Sequence, residues 1–318
     1  MGAAARVIKE AGAACAAALQ FLTRLPVPVK LDYHDALFRR SVIFYPLAGW
    51  LLGTLTAAFG VLLADVLELP ASVTAALTLG CWVALSGALH LDGLMDTADG
   101  VLSHRSRERM LEIMKDSRVG AMGVIVCVLV LLLKWTLLAE LLPESGSVGA
   151  SSWLLLPLVT LWSRWFMAAA IWGWPYARSR QASGTEDGTG TGINSGPANS
   201  LPSSSGEPAD ASSGSAASGG LGGLFQGTGL RHVLAAAGLA MLLTCAAIAV
   251  PSALDWLSLT AGQGLGLVLG MAAGAVVAGS AMAAYLNSKL GGLTGDTYGA
   301  INELLEAGLL LIIVMLAV

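Results

Sequence analysis

Charged residues are scarce in this sequence: Asp, Glu, Lys and Arg make up only 12% of its 318 residues, against about 25% in an ordinary soluble domain. Hydrophobic residues account for 55% of the chain, and the mean hydropathy is +0.72. Excess positive charge is also absent, because the net charge of −4 argues against a nucleic-acid-binding protein with its basic surface. The composition excludes a soluble domain and predicts an all-α, polytopic integral membrane protein.

Paired cysteines and several well-known catalytic motifs are missing as well. The four cysteines (Cys15, Cys81, Cys127 and Cys245) stand singly within apolar runs, which excludes a CxxC zinc or redox site and argues against a disulfide framework. The chain contains no Walker, GxSxG or HExxH motif. Nothing in it therefore predicts a P-loop nucleotide site, a serine-hydrolase nucleophile or a zinc-protease site.

Long apolar runs are what the sequence does contain. A transmembrane helix needs about 20 mostly apolar residues, and the run at 11–22 is too short to cross a membrane. We expect this run to form an N-terminal interfacial or half-inserted helix. The prediction is a bundle of about seven transmembrane helices plus this N-terminal helix. The seven candidate spans are residues 43–64, 71–91, 119–139, 153–173, 232–250, 262–286 and a last stretch that ends at residue 318.

The positive residues lie on one side of the predicted membrane. Of the 17 Lys and Arg residues, all except Lys134 and Arg164 fall in segments on the side that holds the N-terminus. Because cytoplasmic loops are enriched in Lys and Arg, this distribution predicts an N-terminus inside the cell. Lys134 lies toward the outer part of its span, and we expect its ammonium group to snorkel to the membrane surface.

One long segment differs in composition from the rest of the chain. Residues 179–230 are rich in Gly and Ser and have almost no periodic apolar pattern, as is typical of flexible chains. We expect a disordered cytoplasmic loop here. It would separate two parts of one membrane domain, residues 1–178 and residues 231–318.

Small residues recur within one span of the second part. Gly262, Gly266, Gly270 and Gly274 are each four residues apart, and this spacing lets helix backbones approach closely in lipid. The seam predicts either tight packing within the chain or the interface of a homo-oligomer.

The densest polar motif is HLDGLMDTADG at 90–100, in which Asp92, Asp96 and Asp99 are spaced i, i+4 and i+7. On a helix these positions share one face, where like charges repel one another. A hard divalent ion would join them, and Mg²⁺ takes one or two carboxylates together with substrate phosphates and water. The spacing predicts a Mg²⁺ site at the membrane edge; the alternative is a solvated acidic turn.

A basic stretch follows at 103–118. Its charge pattern predicts an interfacial helix with ion pairs along its exposed side. Lys115, Asp116 and Arg118 end the stretch, close in sequence to Gly120 and Gly123. We expect the two cations to meet an anionic substrate.

The third motif, GGLTGDTYGA at 291–300, joins glycines to a helix start, a combination that favours close approach of a phosphate. Asp296, Glu303 and Glu306 add carboxylates. Only 12 residues follow Glu306, roughly 18 Å of helix, so either these acids lie inside the membrane in a polar cavity or the last helix does not cross fully. Arg164, within a span, is expected to pair with one of these acids or with a phosphate.

Carboxylates with Mg²⁺, and cations for phosphate, together predict phosphoryl transfer at the cytoplasmic membrane edge. One alternative is a lipid synthase similar to the CDP-alcohol phosphotransferases, although the DG-x-x-AR spacing of that class is absent. The other is a cation transporter, although transporters place acids near mid-bilayer in paired repeats.

Several strings in the chain are highly specific. The sequence closely resembles the bacterial cobalamin synthases (adenosylcobinamide-GDP ribazoletransferases), over nearly its whole length. The matching pieces are FLTRLPVP at 21–28, FYPLAG at 44–49, the stretch 90–123, YAR at 176–178 and the stretch 291–306.

The resemblance implies a Mg²⁺-dependent enzyme of the bacterial cytoplasmic membrane. It would join adenosylcobinamide-GDP to α-ribazole or its 5′-phosphate and release GMP, with other corrinoid-assembly enzymes as partners. Asp99 or Asp116 would accept the proton of the ribazole hydroxyl. The Mg²⁺ ligands would be Asp92, Asp96, Asp99, Asp296 and Glu303. The substrate and its phosphates would be bound by Arg24, His90, Lys115, Arg118, Arg164, Thr294, Gly295 and Asn302.

Overall fold

The computed structural model describes residues 2–141, 151–177, 227–254 and 260–317. Within those residues the fold is all-helical, as predicted, and its only extended pairing is an isolated bridge between Tyr176 and Leu293. The α-helices are α1 (Ala3–Leu22), α2 (Asp35–Ser41), α3 (Tyr45–Val61), α4 (Ala71–Ser86), α5 (Leu89–Val101), α6 (Arg107–Ile113), α7 (Ala121–Glu140), α8 (Leu156–Gly173), α9 (Leu230–Ala253), α10 (Ala261–Leu290) and α11 (Gly295–Ala317).

Six helical segments of the described residues are long and apolar enough to cross a membrane, and α4 with α5 make a seventh if the bent pair counts as one span. The chain is therefore a polytopic membrane helix bundle. Most of the predicted loop 179–230 lies outside the described residues. Helix α9 begins at Leu230, two residues before the predicted span.

The second predicted span, 71–91, does not run straight. Helix α4 ends at Ser86, Gly87 and Ala88 both adopt positive φ angles (66° and 56°), and α5 leaves at 90° to α4. Arg24 fixes this corner, because its backbone N–H donates to Leu85 O at 2.7 Å and its side chain covers Gly87. Because of this sharp turn, the acidic motif on α5 does not continue in the direction of α4. The apolar sequence of the predicted span gave no indication of the turn.

Helix α8 is the centre of the bundle. In the segment Trp153–Gly173, which contains α8, 78% of the 18 most apolar consecutive residues are buried. The corresponding value for α7 is 28%. Gly49 and Gly53 of α3 lie directly on α8, where any side chain would overlap Thr160. Thr160 Oγ1 donates to Gly49 O at 2.7 Å. The two helices therefore pack backbone to backbone, and α8 places Arg164 fully inside the protein.

The glycine seam of α10 is used in part. A Cβ on Gly274 would lie 2.6 Å from Ile312 Cδ1 of α11, and one on Gly270 would lie 3.6 Å from Ile312 Cγ2. Gly262 and Gly266 have no atom of the described residues within 4 Å of the same position. The seam thus packs α10 against α11, and a homo-oligomer interface stays a prediction.

The first and last helices, α1 and α11, test two of the predictions. Helix α1 is not among the segments that could cross a membrane. This confirms the prediction that the N-terminal helix is not a transmembrane span. Helix α11 extends through 23 residues and carries Glu303 and Glu306 inside it, 4% and 0% exposed. The helix is long enough to cross a membrane, and both acids are buried inside the protein, where they pair with Lys134 and Arg164; their depth in the membrane stays a prediction.

Candidate active site

The two acidic motifs meet because glycines let α5 and α11 touch. A Cβ on Gly93 of α5 would lie 2.7 Å from the carbonyl oxygen of Asp296, and one on Gly299 of α11 would lie 3.1 Å from that of His90. Larger residues at either position would push the helices apart. The close approach joins segments about 200 residues apart in sequence and brings Asp296 to the acidic face of α5.

The carboxylates at this junction form the polar centre of the site. Asp92 is exposed, while Asp96, Asp99 and Asp296 are half-buried. The negative charges of Asp92, Asp296 and Asp99 all repel the carboxylate of Asp96. Among the described residues no ion pair involves Asp92, Asp96 or Asp99. The three acids therefore lie on one helix, α5, and form the acidic face that their spacing predicted.

These acids fit a magnesium ion only as a partial shell. In the described part of the chain no three Asp, Glu, His or Cys side chains converge closely enough to hold a metal by themselves. Mg²⁺ in phosphate-handling sites takes one or two carboxylates and completes its octahedron with phosphate oxygens and water. Carboxylates that do not close a cage suit that mode, and the individual metal ligands stay predictions.

Asp99 is tied to the start of α7. Its carboxylate accepts the backbone N–H of Gly120 and that of Gly123, both at 2.7 Å. Both glycines lie so close to Asp99 that a Cβ on either one would collide with its carboxylate. An acid at a helix N-terminus is stabilised by the free N–H groups there. Asp99 thus fixes the junction between α5 and α7, and its predicted metal and base roles stay predictions.

The cationic loop lies at the surface. Asp116 and Arg118 form an ion pair at 2.6 Å, with 38% and 87% of their side chains exposed. Hydrogen bonds from Arg118 lower the pKa of the Asp116 carboxyl to about 2. Such a carboxylate is a weak proton acceptor at neutral pH. Lys115 is exposed, as is Arg118, and the contacts of both with an anionic substrate stay predictions.

The glycine motif that precedes α11 is held by its neighbours. Arg107 Nε donates to Leu290 O at 2.6 Å, and Leu293 exchanges backbone hydrogen bonds with the Tyr176 segment, accepting from Ala177 N and donating to Pro175 O. Gly292, at φ 156°, is in contact with Ala177, where a side chain would not fit. The YAR and GGLTGD motifs are therefore one structural unit, although Arg178 lies outside the described residues.

Thr294 begins α11. Its N–H donates to Thr297 Oγ1 at 2.7 Å, and the Thr297 N–H donates back to Thr294 Oγ1 at 3.3 Å. Thr294 Oγ1 also donates to Asp296 Oδ2 at 3.3 Å. This capping orients Asp296 toward α5. The predicted phosphate contacts of Thr294 and Gly295 at this helix start stay predictions.

A cavity of about 110 Å³ lies beside the acids. Asp92, Asp296, His90 and Gly295 line one part of it.

Beneath the cavity lies a buried ionic network between α7, α8 and α11. Lys134 Nζ donates to Glu303 and Glu306, and Arg164 Nη1 donates to Glu306; all four side chains are at most 5% exposed. The expectation that Lys134 snorkels to the surface is wrong, since two buried acids hold it inside. Arg164 pairs with an acid, one of its two predicted partners. Glu303, a predicted metal ligand, is bonded to Lys134.

Asn302 connects this network to His90. Its amide nitrogen lies 3.2 Å from Glu306 Oε1 and 3.2 Å from His90 Nδ1. Both predicted binding residues are thus buried at the base of the site, whereas Arg24, Lys115 and Arg118 are exposed around it. The sequence analysis did not assign Lys134 to this region. The two glutamates within one span could have indicated it, because buried acids require cations as partners.

The helices and this junction define a polytopic membrane protein with a carboxylate-rich site at one end of its bundle. Among sequence families, the one described as cobalamin-5-phosphate synthase matches residues 14–196 and 210–314. The chain belongs to that family, which confirms the resemblance found in its motifs.

Individual relatives agree with the family match. Proteins named adenosylcobinamide-GDP ribazoletransferase are 34% identical in Desulforamulus reducens, over 94% of this chain and 94% of that protein, and 34% identical in Pseudomonas savastanoi pv. phaseolicola, over 94% and 98%. The protein of that name in Desulfitobacterium hafniense is 45% identical over 51% of this chain and 62% of its own length. No solved structure gives a significant match.

Proposed function

We propose that this chain catalyses the reaction for which its relatives are named, the transfer of ribazole onto adenosylcobinamide-GDP. It is a transferase of cobalamin biosynthesis. A hydroxyl of α-ribazole, or of its 5′-phosphate, attacks the cobinamide-side phosphorus of the pyrophosphate. The bond between the two phosphates breaks, GMP leaves with the electron pair, and the proton of the hydroxyl passes to a base or to water.

The observation that carries this proposal is the meeting of Asp92, Asp96 and Asp296 beside a cavity. These acids come from the two motifs that are most specific to the family, and only the contact of α5 with α11 unites them. When bound there, Mg²⁺ would neutralise the pyrophosphate and stabilise the oxygen of the leaving GMP. Asp92 and Asp96 of α5 and Asp296 of α11 would supply one or two of its ligands, and phosphate oxygens and water would supply the rest.

The protein's own cations complete the proposal. Arg24, Lys115 and Arg118 are exposed at the same end of the bundle, where they would neutralise phosphate charge as the substrate approaches. Asp99 would accept the hydroxyl proton in preference to Asp116, whose low pKa makes it the weaker base. The one-sided distribution of Lys and Arg supports placing this end and the N-terminus on the cytoplasmic face of the bacterial inner membrane.

A reconstituted assay tests the proposal. The purified full chain in liposomes receives adenosylcobinamide-GDP, α-ribazole and Mg²⁺, and GMP and the corrinoid product are followed together. We expect equal amounts of both, and loss of both with EDTA. A folded sample that forms neither product, but joins a CDP-activated lipid to a small alcohol, would show that the alternative lipid-synthase reaction is correct. Ion flux without any corrinoid would instead indicate the transporter.

A further inference from the structure

The cavity beside the acids is walled largely by aromatic rings. Phe21, Tyr45, Tyr176 and Tyr298 line it, and they come from four segments that are separate in sequence. The rings of Phe21 and Tyr45 are stacked, with 6.4 Å between their centroids. We call this cavity the aromatic pocket. A cavity with several aromatic rings in its wall favours a flat ligand, because stacking is favourable for any aromatic base.

The rest of the aromatic pocket divides into an apolar and a polar part. Leu89, Met167 and Ile171 extend the apolar wall, whereas Asp92 and Asp296 stand at the acidic junction. A ligand seated here would therefore have an apolar, planar part among the rings. Its polar part would reach the carboxylates where the pyrophosphate is expected to bind.

Two buried polar side chains of this pocket, His90 and Tyr45, have a hydrogen-bonding atom without a partner among the described residues. His90 is 3% exposed, and its Nε2 has no partner among the described residues. A buried polar atom without a partner is costly. A ligand that supplied the missing partner would be favoured in this position.

The hydrogen-bond network assigns the proton of His90. Glu306 is ionised, because Arg164 and Lys134 both pair with it, so it accepts the hydrogen bond from the Asn302 amide nitrogen. The same NH₂ group faces His90 Nδ1 at 3.2 Å, and Nδ1 must then be the accepting nitrogen of a neutral ring. The ring proton is therefore on Nε2, which makes Nε2 an unpaired donor.

We infer that the aromatic pocket binds the heteroaromatic ring of the ribazole acceptor, and that the Nε2–H of His90 donates to the free ring nitrogen. This inference rests on the proposed function. A benzimidazole riboside has a flat, largely apolar ring, a single unsubstituted ring nitrogen that only accepts, and no N–H. The pocket offers rings, apolar side chains and neutral donors, namely the Nε2–H of His90 and the hydroxyls of its tyrosines. The guanine of the second substrate carries several donors and acceptors, which this apolar wall would leave unpaired.

The first test fills the pocket. Ile171→Trp places a large ring in the apolar wall, and Ile125→Trp makes the same change at a half-exposed, outward position of α7. Binding of α-ribazole alone to the purified full chain is measured by equilibrium dialysis, and KM is then measured for each substrate. We expect Ile171→Trp to raise both Kd and KM for α-ribazole at least about tenfold. The KM for adenosylcobinamide-GDP should stay within twofold, and Ile125→Trp should resemble the wild type.

The second test isolates the hydrogen bond, so that a folding defect in one variant does not decide the question. The wild type is compared with His90→Phe, using α-ribazole and an indole riboside that has CH in place of the free ring nitrogen. A single hydrogen bond corresponds to roughly a two- to tenfold preference. We expect the wild type to prefer α-ribazole by about fivefold, and His90→Phe to bind the two ligands equally.

The outcomes separate this inference from the proposed function. If the wild type forms product while Ile171→Trp keeps the wild-type Kd and KM for α-ribazole, the assignment of the pocket is wrong and the function stands. If His90→Phe keeps the preference for α-ribazole, the donor role is wrong. If the wild type neither binds α-ribazole nor forms product, both the function and the pocket assignment are overturned.

Discussion

Lys134 of α7 and Glu306 of α11 form an ion pair from which solvent is excluded, with 3% and 0% of their side chains exposed. Glu303 and Arg164 join it, so two acids and two bases neutralise one another inside the bundle. Such a network adds little net stability compared with apolar residues, but removing one member leaves a buried charge unpaired. The network also fixes α11, the helix that carries Asp296 and Asn302, in its position against α7 and α8.

Removal of Lys134 should therefore be costly. We expect Lys134→Met to destabilise the protein by about 3–5 kcal/mol, because Arg164 alone would face two buried carboxylates. Thermal unfolding in detergent, followed by the amount of monodisperse protein, measures this. Lys289→Met, at an exposed position of α10, is the matched control and should unfold like the wild type.

Neutralising one acid should restore part of that loss. In the double variant Lys134→Met with Glu303→Gln, the remaining Glu306 and Arg164 balance each other, so we expect a higher unfolding temperature than in Lys134→Met alone. A double variant as unstable as, or less stable than, the single one would show that packing of the lysine chain, and not charge balance, is what matters here.

The carboxylates of α5 should be needed for turnover and not for folding. Asp92→Asn and Asp96→Asn keep the shape of the side chain and remove the charge, and we expect kcat to fall at least about a hundredfold, comparable with other losses of transition-state stabilisation. Both variants should enter the membrane normally, as judged by yield and unfolding temperature. Glu140→Gln, at the far end of α7, serves as the control. Near-normal turnover by either variant would remove the basis of the predicted magnesium site.

Local patterns predicted much of the fold and of this site. The i, i+4, i+7 spacing of Asp92, Asp96 and Asp99 correctly indicated one acidic helix face, because the period of a helix is fixed by its backbone. The prediction that the run at 11–22 is not a transmembrane span is confirmed, but its reason is not, because the helix extends back to Ala3 and is 20 residues long.

What the sequence did not predict depends on contacts between distant segments. The turn at Gly87 and Ala88 requires a left-handed conformation at a non-glycine residue, and Arg24, some 60 positions earlier, fixes it. The partners of Lys134 lie about 170 residues away along the chain. The rings of the aromatic pocket come from four segments and share no periodicity. Only tertiary packing brings these groups together.

The pair of Asp116 and Arg118 predicts a specific pH behaviour. Because the pKa of Asp116 is lowered to about 2 in the folded protein, the stabilising effect of the pair is fully present above the unfolded pKa of about 4. It is lost as the pH falls through about 2. Asp116 then stays ionised from pH 5 to pH 9, and the pH profiles of kcat/KM for the wild type and Asp116→Asn should be parallel in that range. An acidic limb that is present in the wild type and absent in the variant would identify Asp116 as the general base.

Asp99 accepts two hydrogen bonds from the start of α7, and we expect any side chain at Gly123 to disrupt them. In Gly123→Ala the new Cβ would lie 2.5 Å from Asp99 Oδ2 and 2.8 Å from the carbonyl oxygen of Met95, so the carboxylate must move and α5 must shift from α7. We expect kcat to fall at least about tenfold, because a displacement of 1 Å at a positioned catalytic group can cost about a hundredfold. Gly80→Ala, a helical glycine with no described atom within 4 Å of the new Cβ, should keep full activity and gain about 0.5–1 kcal/mol of stability. If Gly123→Ala turned over substrate as fast as Gly80→Ala, the position of Asp99 would not matter for the reaction, and its proposed role in proton transfer would have to be abandoned.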